Sequence, residues 1–458
     1  MIRLFVSLVL LLAPLSGAEP ADWIISARYV VTMDARMRLV EDGAVAVRGE
    51  RIAAVGPRSE IDRRFRAKAR LDRGNAVVAP GLVNTHTHAA MSLLRGIADD
   101  LRLQDWLEKY IFPAEAKNVS PDFVRWGTRL GCLEMLLSGT TTFTDMYYFE
   151  DVVAEVAKEA GMRGVLGETI IGFPAPDAKT PRESLAFTEK YLRRFAGDSL
   201  VVPAVAPHAL YTNSDETLRA SRALANKYQA PLLIHVAETE RERKESLDKF
   251  GMSPVRKLDA LGIFGGRTVA AHCVWVDGPD RDILRERGTG VAHCPSSNMK
   301  LASGAAPVAE MLRLGIAVGL GPDGPAGSNN DFDLLEEMDL AGKLQKLMTR
   351  DPRALPARQL MQMATILGAR ALGMDKEIGS LEEGKRADLI TIGLDAPHSV
   401  PLYDVYSQLA YAIKGSDVRD VLINGRVVVK DRRVLTLPAG EILRQAVEYQ
   451  GKILATLQ

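Results

Sequence analysis

Two histidines, His86 and His88, close the apolar, β-branched run Val78-Ala79-Pro80-Gly81-Leu82-Val83-Asn84-Thr85-His86-Thr87-His88. Such a run reads as a buried strand. On a strand, residues i and i+2 share a face, so the two imidazoles can converge on one point and hold a metal ion. A lone His-x-His pair is also met as two satisfied or surface histidines, and its meaning depends on what else reaches the same place. The chain has seven histidines. His86, His88, His208, His235, His272 and His293 stand in or just beyond candidate strands, near their ends, and only His398 lies elsewhere. Surface histidines have no reason to choose the same end of strand after strand, so the pattern points to a metal centre. Gly321-Pro322-Asp323-Gly324 brings a carboxylate to a similar position, although Asp323 could also serve only as a turn residue. Three imidazoles and one carboxylate suit zinc, and iron is compatible.

A second carboxylate follows in Leu232-Leu233-Ile234-His235-Val236-Ala237-Glu238. An offset of three would put His235 and Glu238 on opposite faces of a continuing strand, so Glu238 is expected just past the strand end. There it can face a substrate while His235 faces the metal. Such a carboxyl group can shuttle a proton to a ring nitrogen of the substrate. The plainer reading is a solvated glutamate in the charged run from Glu238 to Arg243.

These residues need strands that end at one shared mouth. Residues 80–378 supply an alternation of strand and helix, with candidate strands at 77–83, 140–146, 164–169, 200–206, 231–236, 268–271, 290–292 and 317–321. The intervening helices carry clear punctuation: Ser120 as N-cap, Pro121 in the first turn, Gly139 as terminator. Eight such units predict an α/β fold, a (β/α)8 barrel with its chemistry at the C-terminal strand ends. An open doubly wound sheet is the runner-up, but no Gly-rich dinucleotide fingerprint follows the first strand. Residues 19–79 and 379–458 are β-rich, with a hairpin at Arg48-Gly49-Glu50 and another at Asn424-Gly425. Neither end alone has enough strands for a stable core, so one small β-sandwich domain built from both termini is expected, with a C-terminal helix.

Lys plus Arg and Asp plus Glu both number 58, a balance that argues against capture of nucleic acid and for a small-molecule partner. Residues 1–18 have the form of a secretory signal: Arg3, an apolar core from Leu4 to Leu12, then Ser16-Gly17-Ala18. The core is shorter than the roughly 20 residues a membrane span needs, so cleavage near Ala18 and a periplasmic address are expected, with an uncleaved anchor as the alternative. No membrane association is expected after cleavage. The three cysteines form no disulfide framework and read as free thiols.

Pro80-Gly81-Leu82-Val83-Asn84-Thr85-His86-Thr87-His88, His235-Val236-Ala237-Glu238, Ala271-His272-Cys273, His293-Cys294-Pro295-Ser296-Ser297-Asn298 and Gly321-Pro322-Asp323-Gly324 together resemble the amidohydrolase superfamily. More narrowly they resemble its 5-methylthioadenosine/S-adenosylhomocysteine deaminase branch, near the chlorotriazine hydrolases. The resemblance implies one zinc per subunit held by His86, His88, His235 and Asp323. It makes Glu238 the proton carrier, Asp323 the acceptor of the water proton, and His272 the group that orients the water or polarises the oxygen of the intermediate. Glu115 would accept from ribose hydroxyls, Trp106 would pack on the thioether side, and His208 would meet the nucleoside. Pro207-His208-Ala209 stands where two-metal relatives carry a bridging lysine, which implies a mononuclear site. The implied reaction is hydrolytic deamination of 5′-methylthioadenosine, S-adenosylhomocysteine or adenosine to an inosine-type product.

By an ungapped reading, Glu168 occupies a place where some members of the branch have an arginine, with only Lys179 and Arg182 nearby. Losing a cation there would weaken recognition of a carboxylate-bearing substrate. Guanine or other heterocycle deamination, triazine dechlorination and amide hydrolysis are alternatives within the same superfamily. A metal-free barrel acting as a scaffold is the alternative of another class. A homo-oligomer is compatible with the sequence.

Overall fold

The computed structural model describes residues 18–457, so the expected signal, apart from Ala18, lies outside the described residues. Strands β1 (Glu19–Val31), β2 (Leu39–Arg48), β3 (Arg51–Pro57) and β4 (Phe65–Pro80) precede eight strands that close a parallel barrel. These eight are β5 (Leu82–Thr87), β6 (Thr140–Tyr147), β7 (Arg163–Ile170), β8 (Val201–Pro207), β9 (Leu232–Val236), β10 (Thr268–His272), β11 (Gly290–His293) and β12 (Val318–Leu320). The barrel closes through the pairing of Leu320 in β12 with Asn84 in β5. Side chains alternate as the pleat requires: Val165, Ala204, Ala206, Leu233, Val269, Ala271 and Ala292 share one cluster, while their neighbours Leu166, Val205, Ile234, Ala270 and Val291 belong to the larger core.

The apolar run before the His-x-His pair is not one barrel strand, as the expected span 77–83 had it. Val77–Pro80 end β4, where they pair with β13 (Leu389–Gly393), and the barrel strand begins at Leu82. Gly81 is the joint: its N–H donates to Asp388 O at 3.1 Å, while Leu82 N donates to Gly139 O at 3.0 Å. A Cβ at Gly81 would lie 2.1 Å from Thr141 Oγ1, so only glycine lets the chain pass here without displacing its neighbour. Hydrophobicity is continuous across the joint because both sheets bury their strands, and periodicity alone could not see the break.

The terminal segments form one eight-stranded sheet in the order β16-β15-β14-β13-β4-β1-β2-β3, where β14 is Val418–Ile423, β15 Arg426–Lys430 and β16 Arg433–Val434. The turn between β2 and β3 reaches across to the other half of the sheet, where Ala387 N donates to Glu50 O at 2.8 Å and Gly425 packs on Gly49. Inside lie Ile25, Val45, Val47, Val78, Leu389 and Leu422. Asn424 and Gly425 take φ of +47° and +71°, the two left-handed residues of a tight hairpin turn. The C-terminal helix Ala439–Leu457 packs on the helix Pro121–Leu137, with Tyr449 hydrogen-bonded to Asp122 at 2.5 Å. Among the described residues no helix is long and apolar enough to cross a membrane.

The connection after β5 supplies part of the barrel mouth. It carries the short helix Leu103–Trp106, a wide turn Leu107–Ile111 and the helix Phe112–Asn118. Pro113 has no N–H to donate, and the Phe112 N–H reaches back five residues to Leu107 O, widening the turn.

Candidate active site

His86 and His88, at the end of β5, His235 in β9 and Asp323 after β12 meet at the C-terminal mouth of the barrel. Their ring nitrogens (His86, His88 and His235) lie within 4.8 Å of one another. Nε2 of His86 and of His88 each stand 3.3 Å from Asp323 Oδ1. The outward nitrogens are already engaged: His88 Nδ1 with Met146 O and His235 Nδ1 with His208 O, both at 2.7 Å. Backbone carbonyls of this kind fix the tautomer that leaves Nε2 as a lone-pair donor. His86 Nε2 is buried without a hydrogen-bond partner, which a protein interior does not ordinarily tolerate. This orphaned donor and a convergent set of three nitrogens and one carboxylate fit a zinc ion.

Asp323 sits in a left-handed turn with φ +65°, and its Oδ2 accepts from Ser297 Oγ at 2.6 Å. Burial opposes ionisation of Asp323, yet the facing imidazoles outweigh it and hold the carboxyl well below its ordinary range. The two acids of the site are thus set apart, because burial and the Asp323 charge push Glu238 up to about 8. Ala237, with φ +49°, turns the chain after β9 so that Glu238 enters the cavity beside His235. His272 Nδ1 is fixed by Asn298 Oδ1 at 3.0 Å, and its Nε2 lies 3.8 Å from Glu238 Oε2.

A cavity opens over these groups, and Glu115, Trp106 and His208 line it. The Trp106 indole N–H donates to Ala326 O at 2.8 Å, fixing the ring as a wall. Burial pushes Glu115 up to about 7 against a 2.7 Å hydrogen bond from the Tyr147 hydroxyl, and burial drives His208 down to about 3, keeping it neutral. Tyr147 was not singled out from sequence; it lies one residue past the expected end of its strand. Asn298 and Ser297 were visible only as part of the motif after His293.

Two expectations change. His293 does not reach the mouth. It follows inward-facing Ala292, so it points outward, buried with both ring nitrogens unpartnered, and Cys294 takes the inward place near His86 and His272. Glu168 also faces away from the cavity: it accepts from Glu150 N at 2.9 Å, and Thr169 lines the cavity instead. Position 168 therefore lies on the face of β7 that turns away from the cavity. No Lys or Arg lines the cavity among the described residues. Arg241 lines an adjoining space outside Leu107, Phe112 and Tyr211, and is paired with Glu245 at 2.6 Å.

Residues 77–428 match the family model described as "Amidohydrolase family". The chain is 49% identical over 440 residues to 5-methylthioadenosine/S-adenosylhomocysteine deaminase 1 of Syntrophus aciditrophicus (strain SB), covering 96% of this chain and 99% of the relative. A crystal structure of an adenosine deaminase from Xanthomonas campestris with bound zinc aligns with a TM-score of 0.94 at 39% identity, over 96% of this chain and 100% of that one. The atrazine chlorohydrolase of Arthrobacter aurescens TC1 complexed with zinc aligns with a TM-score of 0.85 at 26% identity, over 93% and 100%.

Proposed function

The chain belongs to the amidohydrolase family, and from that premise we propose that it is a zinc-dependent hydrolytic deaminase of adenine nucleosides, releasing ammonia and an inosine-type product. The observation that carries this reading is the pairing, in one cavity, of an ionised Asp323 beside three imidazoles with a Glu238 that holds its proton near neutral pH. Pairs of acids pushed apart in this way divide base and acid roles between them.

His86, His88, His235 and Asp323 would hold the zinc. When bound, the ion supplies Lewis-acid chemistry, lowering the pKa of a water from about 15.7 towards 7. Asp323 takes a proton from the attacking water, and Glu238 gives its proton to N1 of the purine, which makes C6 electrophilic. The water oxygen adds to C6. The proton held by Asp323 passes to the exocyclic amine, the C6–N bond breaks as the C6 hydroxyl gives its proton back to Glu238, and ammonia and the 6-oxo product leave. His272, oriented by Asn298, faces the same space and steadies the developing oxygen. Glu115 accepts from the ribose hydroxyls, His208 meets the sugar as a neutral ring, and Trp106 walls the 5′ side.

The absence of a cation from the cavity lining favours uncharged 5′ substituents, as in 5′-methylthioadenosine and adenosine, over the amino-acid tail of S-adenosylhomocysteine. The expected export signal supports the same end of the series, since an exported enzyme meets salvaged nucleosides.

Ammonia release by the purified zinc-loaded protein, screened over adenosine, 5′-methylthioadenosine, S-adenosylhomocysteine, guanine and a chlorotriazine, tests the proposal. Turnover of the adenine nucleosides is expected. Inactivity on all of them, with turnover of guanine or the triazine, overturns it.

A further inference from the structure

Thr239-Glu240-Arg241-Glu242 has the spacing of a capping box at the start of the helix Glu240–Phe250. Half of the box forms, with Thr239 Oγ1 accepting from Glu242 N at 3.1 Å. The reciprocal half would have the Glu242 carboxylate accept from Thr239 N–H. Instead the carboxylate reaches further back: Oε1 accepts from Ala237 N at 3.1 Å and Oε2 from Glu238 N at 2.9 Å. The helix Gly278–Glu286, by contrast, closes its box in the ordinary way between Asp277 and Asp280. Glu242 is only 4% exposed. A buried carboxyl group, which burial pushes up to about 8 against the pull of its two N–H donors, has thus been diverted from capping its helix to holding the two residues before the cap.

Those two residues decide where Glu238 points. Three positions separate it from His235, and a continuing strand would set the two side chains on opposite faces. Ala237 breaks the alternation with φ +49°, a left-handed conformation that is strained for a residue bearing a Cβ. Trp275 N also holds the turn by donating to Ala237 O at 2.9 Å, while Cys273 N donates to Val236 O at 3.0 Å. Among the described residues only the Glu242 carboxyl group binds both N–H groups of the pair 237–238.

We propose that Glu242 is a positioning residue for the deamination step: its carboxylate clamps the Ala237–Glu238 turn and so aims the Glu238 carboxyl at the reacting ring nitrogen. This assignment rests on Glu238 as the proton carrier. The two are separable, because failure of that reading leaves Glu238→Gln fully active, whereas failure of this one leaves Glu238→Gln impaired and Glu242→Ala unaffected.

The test uses the zinc-loaded protein and 5′-methylthioadenosine. Glu242→Ala is expected to lower kcat by about 10- to 100-fold, the cost of an ångström-scale misplacement, with KM changed by less than about threefold and zinc content unchanged. Glu242→Gln keeps the shape and one acceptor, and is expected to lose less. If Glu242→Ala does not fold, Glu242→Gln carries the test. Replacing Ala237 by glycine in the Glu242→Ala background removes the cost of the left-handed residue, and should recover kcat by about fivefold. A purely structural role would not produce that rescue. Wild-type kcat in both Glu242 variants, loss of kcat in step with zinc, or no recovery in the double variant overturns the proposal.

Discussion

Glu238→Gln is the sharpest perturbation of the proposed chemistry because it changes one proton and almost no volume. Glu238 is 4% exposed, and burial together with the Asp323 charge pushes its carboxyl up to about 8, so the protonated form is favoured at pH 7. Glutamine can still donate a hydrogen bond to N1 but cannot deliver the proton. Positioned general acids contribute about 10²- to 10⁴-fold, so kcat should fall by that factor, about 3–5 kcal/mol in the barrier. The metal ligands are untouched, and zinc should stay near one per chain by elemental analysis. In the wild type, kcat should fall as pH rises through about 8, where the acid is lost. The sign of the stability effect also follows. A carboxyl whose folded pKa is raised from 4.5 to about 8 favours folding most below about pH 4.5, and that contribution is lost as pH rises through 8. The metal-free Glu238→Gln protein escapes the loss and should be the more stable form at pH 8 by a few kcal/mol in denaturant unfolding. Unchanged turnover in a fully zinc-loaded variant would refute the role of Glu238.

Tyr147→Phe removes the 2.7 Å hydrogen bond to Glu115. It should raise KM for a ribonucleoside by about fivefold, the worth of one hydrogen bond, with little effect on a 2′,3′-dideoxynucleoside. An equal effect on both substrates would remove Glu115 from ribose recognition. Gly81→Ala would set a Cβ 2.1 Å from Thr141 at the joint between sheet and barrel; a loss of about 1–3 kcal/mol is expected in thermal or denaturant unfolding. The signal reading predicts that protein made in a secreting host begins at Glu19, where β1 also begins, and intact-mass measurement checks it. Retention of Arg3 and the apolar core in the mature mass would point to an anchor instead.

Much of the site was legible in the sequence because its ligands are local events at strand ends. A histidine pair with period two, a carboxylate before Gly324 and a glutamate three residues past a strand histidine each declare a position along the chain. Barrel closure then brings every strand end to one mouth. The facing of each side chain was less legible, since a shift of one residue turns a strand inside out. That is why His293 was expected at the mouth and is buried outside it, and why Glu168 was compared with an arginine that its face of β7 could not replace.

The sequence by itself determined the barrel, the placing of His86, His88, His235 and Asp323 near strand ends and the terminal origin of the second sheet, because these rest on pattern and order along the chain. Only the tertiary structure decided that Gly81 divides one apolar run between two sheets, that Tyr147 holds Glu115, and that the Glu242 carboxylate abandons its helix cap for the turn carrying Glu238. Those are contacts whose partners are chosen by packing in three dimensions, where an acceptor goes to whichever donor burial leaves unpaired.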